Sequence, residues 1–311
     1  MKKNKKGRAK RKYLNWLIAT KNKALPTFDI VVIGTMSAGK STLINALIGE
    51  EVLPIANEAA TAVITRIYDE DGMKHFQGRG YHINLDDLST PPLPQTRRIT
   101  RITPKQIEEW NQSKAINYID LRGDIKTILN DKAALVIYDT PGPNNSQDSE
   151  HSALTMYTLE NEHYGLILYL LNATQVGIYD DRGLLEKIKK HLEKDLSKSI
   201  VFVLNKCDML DTEKGENIER VVSNVHLYLQ DIGFTQPHII PLTARPALLA
   251  RKRLSRHPLT RAERSALRFF AEEACQSKSE LLDIIQRSGF SELEKYLQTR
   301  VSSSNHLNSK G

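Results

Sequence analysis

Short apolar runs alternate with stretches of helical periodicity along most of the chain. Runs of strand length occur at 28–33 (FDIVVI), 62–68 (AVITRIY), 116–121, 133–139, 166–173, 200–206 and 238–244. Helical patterns occupy 40–49 (KSTLINALIG), about 150–162, about 181–193 and about 215–230. Strands separated by helices are typical of a parallel sheet with helices on both faces. The pattern therefore predicts an α/β fold with a mostly parallel sheet.

The pattern changes at both ends of the chain and once inside it. Residues 1–27 are predicted to be a basic tail with a short amphipathic helix, ahead of one domain at 28–245. Within that domain, 69–115 is predicted to be a polar insertion with one short helix, PKQIEEW. Residues 246–300 show helical patterns only, at 262–286 and 291–300, and 301–311 are predicted to be a disordered tail. We expect the terminal helices to pack beside the domain.

The chain has 311 residues and a net charge of +7, and its basic side chains are concentrated in two places. Residues 1–12 hold eight Lys or Arg and no acid, and 245–268 hold eight against Glu263 alone. Such runs attract nucleic acid or anionic lipid, although they are also common on solvated surfaces. The apolar runs at 165–171 and 199–204 are far shorter than a membrane span of about 20 residues. Two cysteines, Cys207 and Cys275, form no disulfide or metal motif, so a cytoplasmic location is expected, with a peripheral membrane position as an option.

The stretch GTMSAGKST, directly between an apolar run and a helix, matches G-x-x-x-x-G-K-[ST] through Gly34, Gly39, Lys40 and Ser41. In this motif the backbone N–H groups converge on the β-phosphate, here those of Met36, Ser37, Ala38, Gly39 and onward to Thr42. Lys40 is expected to bridge the β- and γ-phosphates, and Ser41 to ligate Mg²⁺. The predicted strand before the loop and the predicted helix after it favour a phosphate-binding loop over a simple turn.

Three further stretches end predicted strands, where α/β sheets bind their ligands. In DTPG, Asp139 is expected to hold Mg²⁺ through its water shell, and the Gly142 N–H to meet the γ-phosphate. In NKCD, the Asp208 carboxylate can accept two hydrogen bonds from guanine, whereas adenine offers no matching donors.

NKCD and the third stretch, PLTAR, supply three more expected contacts. Lys206 would lie over the base, and Asn205 would tie its loop to the phosphate loop. In PLTAR, which contains Thr243, the Ala244 N–H is expected to reach guanine O6. Four signals in this order indicate a guanine-nucleotide site.

At these motifs the sequence resembles the dynamin family, and within it the bacterial dynamin-like GTPases. The resemblance rests on GTMSAGKSTLINALIGEEVLP, NEAATAVITRI, YDTPGPNN, NKCD and PLTAR, and it covers about 28–245. It implies the P-loop GTPase fold with extra N- and C-terminal helices. It also implies that Thr61 is the switch residue that closes on Mg²⁺ and the attacking water, with Thr65 as second choice. Ser37 resembles the ligand of a monovalent cation, K⁺ or Na⁺, and 174–181 resembles a loop that faces a second GTPase domain.

Two departures from related sequences bear on the rate of GTP hydrolysis. Eukaryotic dynamins carry Gln where this chain has Met36, and Ras-like GTPases carry Gln where it has Pro143. Neither replacement can orient a water through its side chain, so slow intrinsic hydrolysis is expected. Only about 60 residues follow PLTAR, where full dynamins continue into long helical hairpins. The chain therefore resembles a nearly isolated GTPase head.

The leading hypothesis is a Mg²⁺-dependent GTPase that binds GTP and GDP and is stimulated by homodimerisation of its heads. One alternative is a slowly hydrolysing switch that recruits a partner in the GTP state. Another is a ribosome- or RNA-associated GTPase, which ranks lower because no RNA-binding motif accompanies the basic runs. The basic N-terminal tail offers contact with an anionic membrane surface or a protein partner.

Overall fold

The computed structural model describes residues 25–303 except 36, 56–62, 85–86, 88–89, 91, 143–148, 176–178, 196–197 and 271–276. The predicted N-terminal tail and helix and the tail after 303 lie outside these residues. Among the described helices, none combines the length and apolar character that crossing a membrane requires.

A nine-stranded sheet forms the centre of the fold, in the order β4-β3-β5-β2-β6-β1-β7-β8-β9. Five neighbouring strands, from β6 to β9, run parallel, whereas β2 pairs with β6 in the antiparallel direction and β5 runs parallel to β2. The strands are β1 (Thr27–Gly34), β2 (Ile64–Asp69), β3 (Gln77–His82), β4 (Leu93–Pro94), β5 (Tyr118–Gly123), β6 (Ala134–Asp139), β7 (Leu166–Asn172), β8 (Ser199–Asn205) and β9 (Ile239–Pro241).

Nine α-helices flank the sheet within the described residues. They are α1 (Lys40–Ile48), α2 (Pro104–Asn111), α3 (Ser149–Asn161), α4 (Tyr179–Leu192), α5 (Ile218–Ile232), α6 (Ala244–Leu254), α7 (Arg261–Phe270), α8 (Lys278–Arg287) and α9 (Phe290–Ser303). Local signals set several boundaries: the Asn217 side chain caps the first turn of α5, and α1 ends at Gly49, which has a positive φ of 86°.

The two faces of the sheet carry two separate apolar cores. On β1, Ile30 and Val32 belong to one core, with α1, α6 and α9, whereas Val31 and Ile33 belong to the other, with α3, α4 and α5. Side chains alternate between faces along a strand, so a strand buried on both faces needs a continuous apolar run. FDIVVI has this composition except at Asp29, which is buried as well. The predicted α/β architecture, a mostly parallel sheet covered on both sides, is confirmed.

The insertion at 69–115 contributes more to the sheet than its sequence predicted. The predicted helix is present as α2, but β3 and β4 also come from this segment and extend the sheet edge. The β3 sequence QGRGYH has no apolar run because glycines hold its inward positions. A Cβ on Gly78 would lie 2.6 Å from the Leu121 side chain, and one on Gly80 would lie 2.8 Å from that of Ile116. Larger neighbours on the adjoining strand and loop fill the space that β3 leaves empty.

After residue 245 the described segments are helical, and they differ from the predicted pattern in two respects. The single helical pattern at 262–286 corresponds to two helices, α7 and α8, and α9 continues to Ser303, past the predicted end at 300. Two members of the basic cluster at 245–268 are internal: Arg251 donates to the Ala46 carbonyl at 2.5 Å and pairs with Glu294, and Lys252 pairs with Glu51 and Glu263. These two cations join α6 to neighbouring elements, so they are not available to nucleic acid or lipid.

Candidate nucleotide site

The phosphate loop connects the end of β1 to the start of α1, and its backbone follows a path that restricts which residues fit. Ser37 has φ of 62° and Gly39 has φ of 95°, in the left-handed region that glycine adopts more readily than other residues. A Cβ on Gly39 would also lie 2.4 Å from Asn205 Nδ2. At the other end, a Cβ on Gly34 would lie 2.6 Å from the Leu170 carbonyl oxygen on β7. Close contacts thus require glycine at both positions, and the positive φ is a second constraint at Gly39.

Lys40 is held inside the loop, where its exposed fraction is 8%. Its Nζ donates to the carbonyl oxygens of Gly34 at 3.1 Å and Thr35 at 3.4 Å. Burial lowers the pKa of this ammonium, and the nearby Asp139 carboxylate opposes that shift. An ammonium carries three N–H donors, and the side chain is positioned at the N-terminus of α1, where the helix also favours an anion. The arrangement suits a bound phosphate.

Ser41 and Asp139 bring two oxygen atoms together beside Lys40. The Ser41 hydroxyl donates to Asp139 Oδ2 at 3.5 Å, and Asp139, at the end of β6, is 1% exposed. Thr140 follows it and anchors the DTPG segment through a hydrogen bond of 2.9 Å from its hydroxyl to the Val32 carbonyl. A hydroxyl and a carboxylate are the hard oxygen ligands that Mg²⁺ prefers, so these residues fit the predicted ion.

Asn205 connects three parts of the site. Its Nδ2 donates to the Ala38 carbonyl in the phosphate loop at 2.8 Å, and its Oδ1 accepts from the Ala244 N–H at 3.0 Å. The side chain is 3% exposed, so both hydrogen bonds are shielded from water. The predicted tie between NKCD and the phosphate loop is present. The Ala244 N–H, in contrast, was predicted to be directed at guanine O6, and here it is bonded to Asn205.

The base-recognition residues lie on a tight turn after β8. Lys206 has φ of 67°, and a 3-10 turn spans Cys207–Met209. Burial raises the pKa of Asp208, and its own backbone N–H, the Thr243 hydroxyl and the Arg245 and Lys206 charges oppose the shift. Burial likewise lowers the pKa of Lys206, against the effect of Asp208. The Asp208 carboxylate, which can accept hydrogen bonds, and the Lys206 ammonium therefore lie close together in a partly buried loop.

The turn between α8 and α9 supports the base-recognition loop, a contact that was not predicted from the sequence. The Ser288 carbonyl accepts a 2.8 Å hydrogen bond from the Thr243 N–H. Gly289, with φ of 74°, lies so close to the loop that a Cβ would be 2.5 Å from the Pro241 carbonyl oxygen. The available signal was the Ser-Gly pair after a helical pattern, which indicates a helix end, but not what that end contacts.

Most of the predicted site residues lie along one edge of the sheet, at the carboxyl ends of β1, β6, β8 and β9. This set comprises Gly34, Ser37, Ala38, Gly39, Lys40, Ser41, Thr42, Asp139, Gly142, Asn205, Lys206, Asp208, Thr243 and Ala244. Met36, Thr61 and Pro143 lie outside the described residues. The second-choice switch residue, Thr65, is buried inside β2, opposite Asp139 in the register. The predicted dimer loop at 174–181 ends in the first turn of α4, and 176–178 are outside the described residues.

Comparison with known proteins places this arrangement in a family. The dynamin family model matches residues 30–207. The chain is 30% identical over 226 residues to an uncharacterised Caldicellulosiruptor protein from the xynA 3′ region, covering 71% of this chain and 50% of that protein. It is 26% identical over 228 residues to the bacterial dynamin-like protein of Nostoc punctiforme, covering 68% and 31% respectively.

A solved structure agrees with the observed fold. A chain from an oligomerised bacterial dynamin pair superimposes with a TM-score of 0.60 at 21% identity, over 98% of this chain and 41% of that one. The chain spans half or less of the length of the two curated relatives.

Proposed function

This chain belongs to the dynamin family, and from that premise we propose that it binds GTP and GDP and hydrolyses GTP with Mg²⁺, faster when two heads dimerise. The observation that carries the proposal is the position of Asn205. One buried amide sets the spacing between the loop suited to phosphates and the loop suited to the base. The ribose limits the distance between the base and the phosphates of a nucleotide, so a buried link that holds the two loops at one spacing favours this ligand class.

Different residues of the site would bind the phosphates and the base. Lys40 and the backbone N–H groups of the phosphate loop would bind the β- and γ-phosphates. The Asp208 carboxylate would accept from N1–H and the exocyclic amine of guanine, with the Lys206 stem over the ring. The Ala244 N–H would meet guanine O6 by sharing its hydrogen between the base and Asn205.

Ser41 and Asp139 would hold Mg²⁺, together with Thr61. When bound, the ion supplies positive charge to the phosphates at which negative charge develops. The Gly142 N–H would contact the γ-phosphate, and Thr61 would position the attacking water. With Met36 and Pro143 unable to hydrogen-bond a water through their side chains, a lone head would hydrolyse slowly.

A second copy of the head would supply what the lone head lacks. Docking across the nucleotide face, with contact at 174–181, would order the segments around Thr61 and Gly142. A K⁺ or Na⁺ ion near Ser37 would add positive charge beside the phosphates.

Nucleotide binding is tested with Lys40→Ala. Removing the cation of the phosphate loop should lower GTP affinity by about 2–4 kcal/mol, or about 30-fold to 1,000-fold, because a charge-assisted contact is lost in a buried position. Isothermal titration calorimetry measures the change. Unchanged affinity would refute the assignment of the phosphate loop.

Base choice is tested independently with Asp208→Asn. The amide offers one acceptor and one donor in place of two acceptors, so preference should move from GTP to XTP. Competition between the two nucleotides reports the ratio. Continued preference for GTP, or equal binding of ATP by the unmodified protein, would rule out the guanine assignment.

Dimer-coupled hydrolysis predicts that turnover per molecule rises with protein concentration, and that GDP with a fluoroaluminate traps a dimer. Phosphate release across a hundredfold concentration range, alongside sedimentation in each nucleotide state, measures both. Constant turnover with a monomer throughout would favour the second candidate, a slowly hydrolysing switch that recruits a partner when GTP is bound. The features that favour that candidate are Met36 and Pro143.

A further inference from the structure

A cluster of three carboxylates lies at the edge of the sheet opposite the nucleotide site. Asp69 ends β2, and the β2–β6 register places Thr65 beside Asp139, so Asp69 is four residues, or about 13 Å, further along the strand. Asp69 also pairs in register with Gly123, the residue before Asp124. Asp71 follows in the turn after β2. Two segments that are more than 50 residues apart in the chain thus bring their acids together.

The spacing of these carboxylates matches the coordination shell of a divalent cation. One oxygen from each of Asp69, Asp71 and Asp124 lies within 4.8 Å of the other two. Ca²⁺ takes several carboxylate oxygens, each about 2.3–2.6 Å from the ion, in a flexible shell, whereas Mg²⁺ keeps several waters and usually takes one or two carboxylates. Three carboxylates at this spacing therefore suit Ca²⁺ better than Mg²⁺.

The state of Asp69 is the second and independent sign of a ligand. This residue is 1% exposed, and its Oδ1 accepts from the Ile125 N–H at 2.7 Å. Within the described part of the chain, its Oδ2 is buried and has no hydrogen-bond partner. The nearby Asn130 amide donates to Asp71 at 3.0 Å. A buried carboxylate oxygen without a donor is costly unless a cation or a proton neutralises it.

The acids of the cluster form no salt bridge within the described part of the chain. No Lys, Arg or His side chain there pairs with Asp69, Asp71 or Asp124. Another buried charge of β2, the Arg66 guanidinium, is paired with Asp120 at 2.8 Å. The three carboxylates have no such compensation among the described side chains.

We propose that Asp69, Asp71 and Asp124 form a divalent-cation site, separate from the nucleotide site, whose chemistry suits Ca²⁺ best. Hard carboxylate oxygens select Ca²⁺, Mg²⁺ or Mn²⁺ over softer metals, and water completes the shell. The ion joins the turn after β2 to the segment that follows β5. That segment continues to Leu129, whose N–H donates to Gln298 on α9 at 2.8 Å. The site therefore stabilises the part of the sheet edge on which the last helix rests.

The test uses the full chain, freed of nucleotide and stripped of metal with a chelator. Calorimetric titration with CaCl₂ should show one saturable site per chain, and the thermal unfolding midpoint should rise with CaCl₂ more than with MgCl₂. Asp69→Asn should abolish both effects. The matched control is Ser41→Ala, which alters the proposed Mg²⁺ position at the nucleotide site and should leave the Ca²⁺ response unchanged.

Two further variants keep the test decisive if Asp69→Asn fails to fold. Asp71 is exposed and Asp124 is partly exposed, so Asp71→Asn and Asp124→Asn should fold and should each weaken Ca²⁺ binding at least about tenfold, as loss of one charged ligand does. No saturable binding up to about 10 mM CaCl₂, above the about 1 mM dissociation constants of weak sites, would overturn the proposal. Equal Ca²⁺ responses in Asp69→Asn and the unmodified protein would do the same. In either case Asp69 would have a structural role only.

Discussion

Asn205→Asp replaces the Nδ2 hydrogen-bond donor with an oxygen while preserving the shape of the side chain. It tests whether the link between the phosphate loop and the base-recognition loop sets nucleotide affinity. The new carboxylate can still accept from the Ala244 N–H, now at 3.0 Å. It cannot donate to the Ala38 carbonyl, 2.8 Å from the replaced nitrogen. The phosphate loop then faces an oxygen where it had a donor, and the two oxygens repel each other.

The expected magnitude follows from burial. Because the side chain is 3% exposed, water cannot easily replace the lost donor, and an unpaired buried carbonyl costs about 1–3 kcal/mol. If the loop shifts to relieve this cost, GDP and GTP affinity should fall by the same amount, about 5-fold to 150-fold. Asn205→Ala loses both hydrogen bonds without adding a buried charge, so GDP affinity should fall in this variant as well. Calorimetric titration with GDP gives the affinity, and urea unfolding without nucleotide gives the stability.

A matched control comes from the neighbouring strand. Asn172 ends β7 opposite Asn205 in the register, is also buried, and donates to the Gln175 side chain at 3.1 Å, away from the phosphate loop. Asn172→Asp repeats the substitution at the same sheet edge and should leave GDP affinity within about twofold, since an exposed glutamine can exchange its partner for water. Equal GDP affinities for Asn205→Asp and Asn172→Asp would show that the Asn205 link does not set the spacing of the site.

Three more expectations concern residues around the site. Gly289→Ala should lower both guanine-nucleotide affinity and stability by more than about 1 kcal/mol, because its Cβ would lie 2.5 Å from a backbone oxygen of the base loop. The control is Gly215→Ala, which has a similar positive φ but no atom within 4 Å of the added Cβ and should lower stability alone. Urea unfolding and GDP titration compare the two variants. The Cys207 thiol, whose pKa burial raises to about 11, should stay protonated and resist alkylation at pH 8 in the folded protein, and mass spectrometry after iodoacetamide treatment would reveal rapid labelling if the expectation is wrong. Asn45→Ala should reduce the free energy of unfolding by about 3–5 kcal/mol, because the fully buried amide makes three hydrogen bonds to the backbone of the turn after α1; a loss below about 1 kcal/mol in urea unfolding would contradict it.

The sequence by itself determined the parts of this protein whose chemistry is local. The phosphate loop, with Gly39 and Lys40 at the start of a helix, could be predicted from the sequence motif because the loop between the strand and the helix is short. The continuous apolar run of β1 likewise indicated burial on both faces. The order of the motifs was sufficient to predict that Asp139 and Asn205 meet at one edge, since parallel strands end together.

Tertiary structure alone decided features that depend on pairing between distant segments. Nothing in AVITRIY specifies that β2 runs antiparallel to β6, and QGRGYH conceals a strand because its neighbours fill the space above its glycines. The support of Thr243 by Ser288 and the meeting of Asp69 with Asp124 arise from register and helix packing across about 45 and 55 residues of chain. Strand direction and register are set by the total burial that the whole chain achieves, and a local pattern of apolar and polar residues contains too little of that information to predict them.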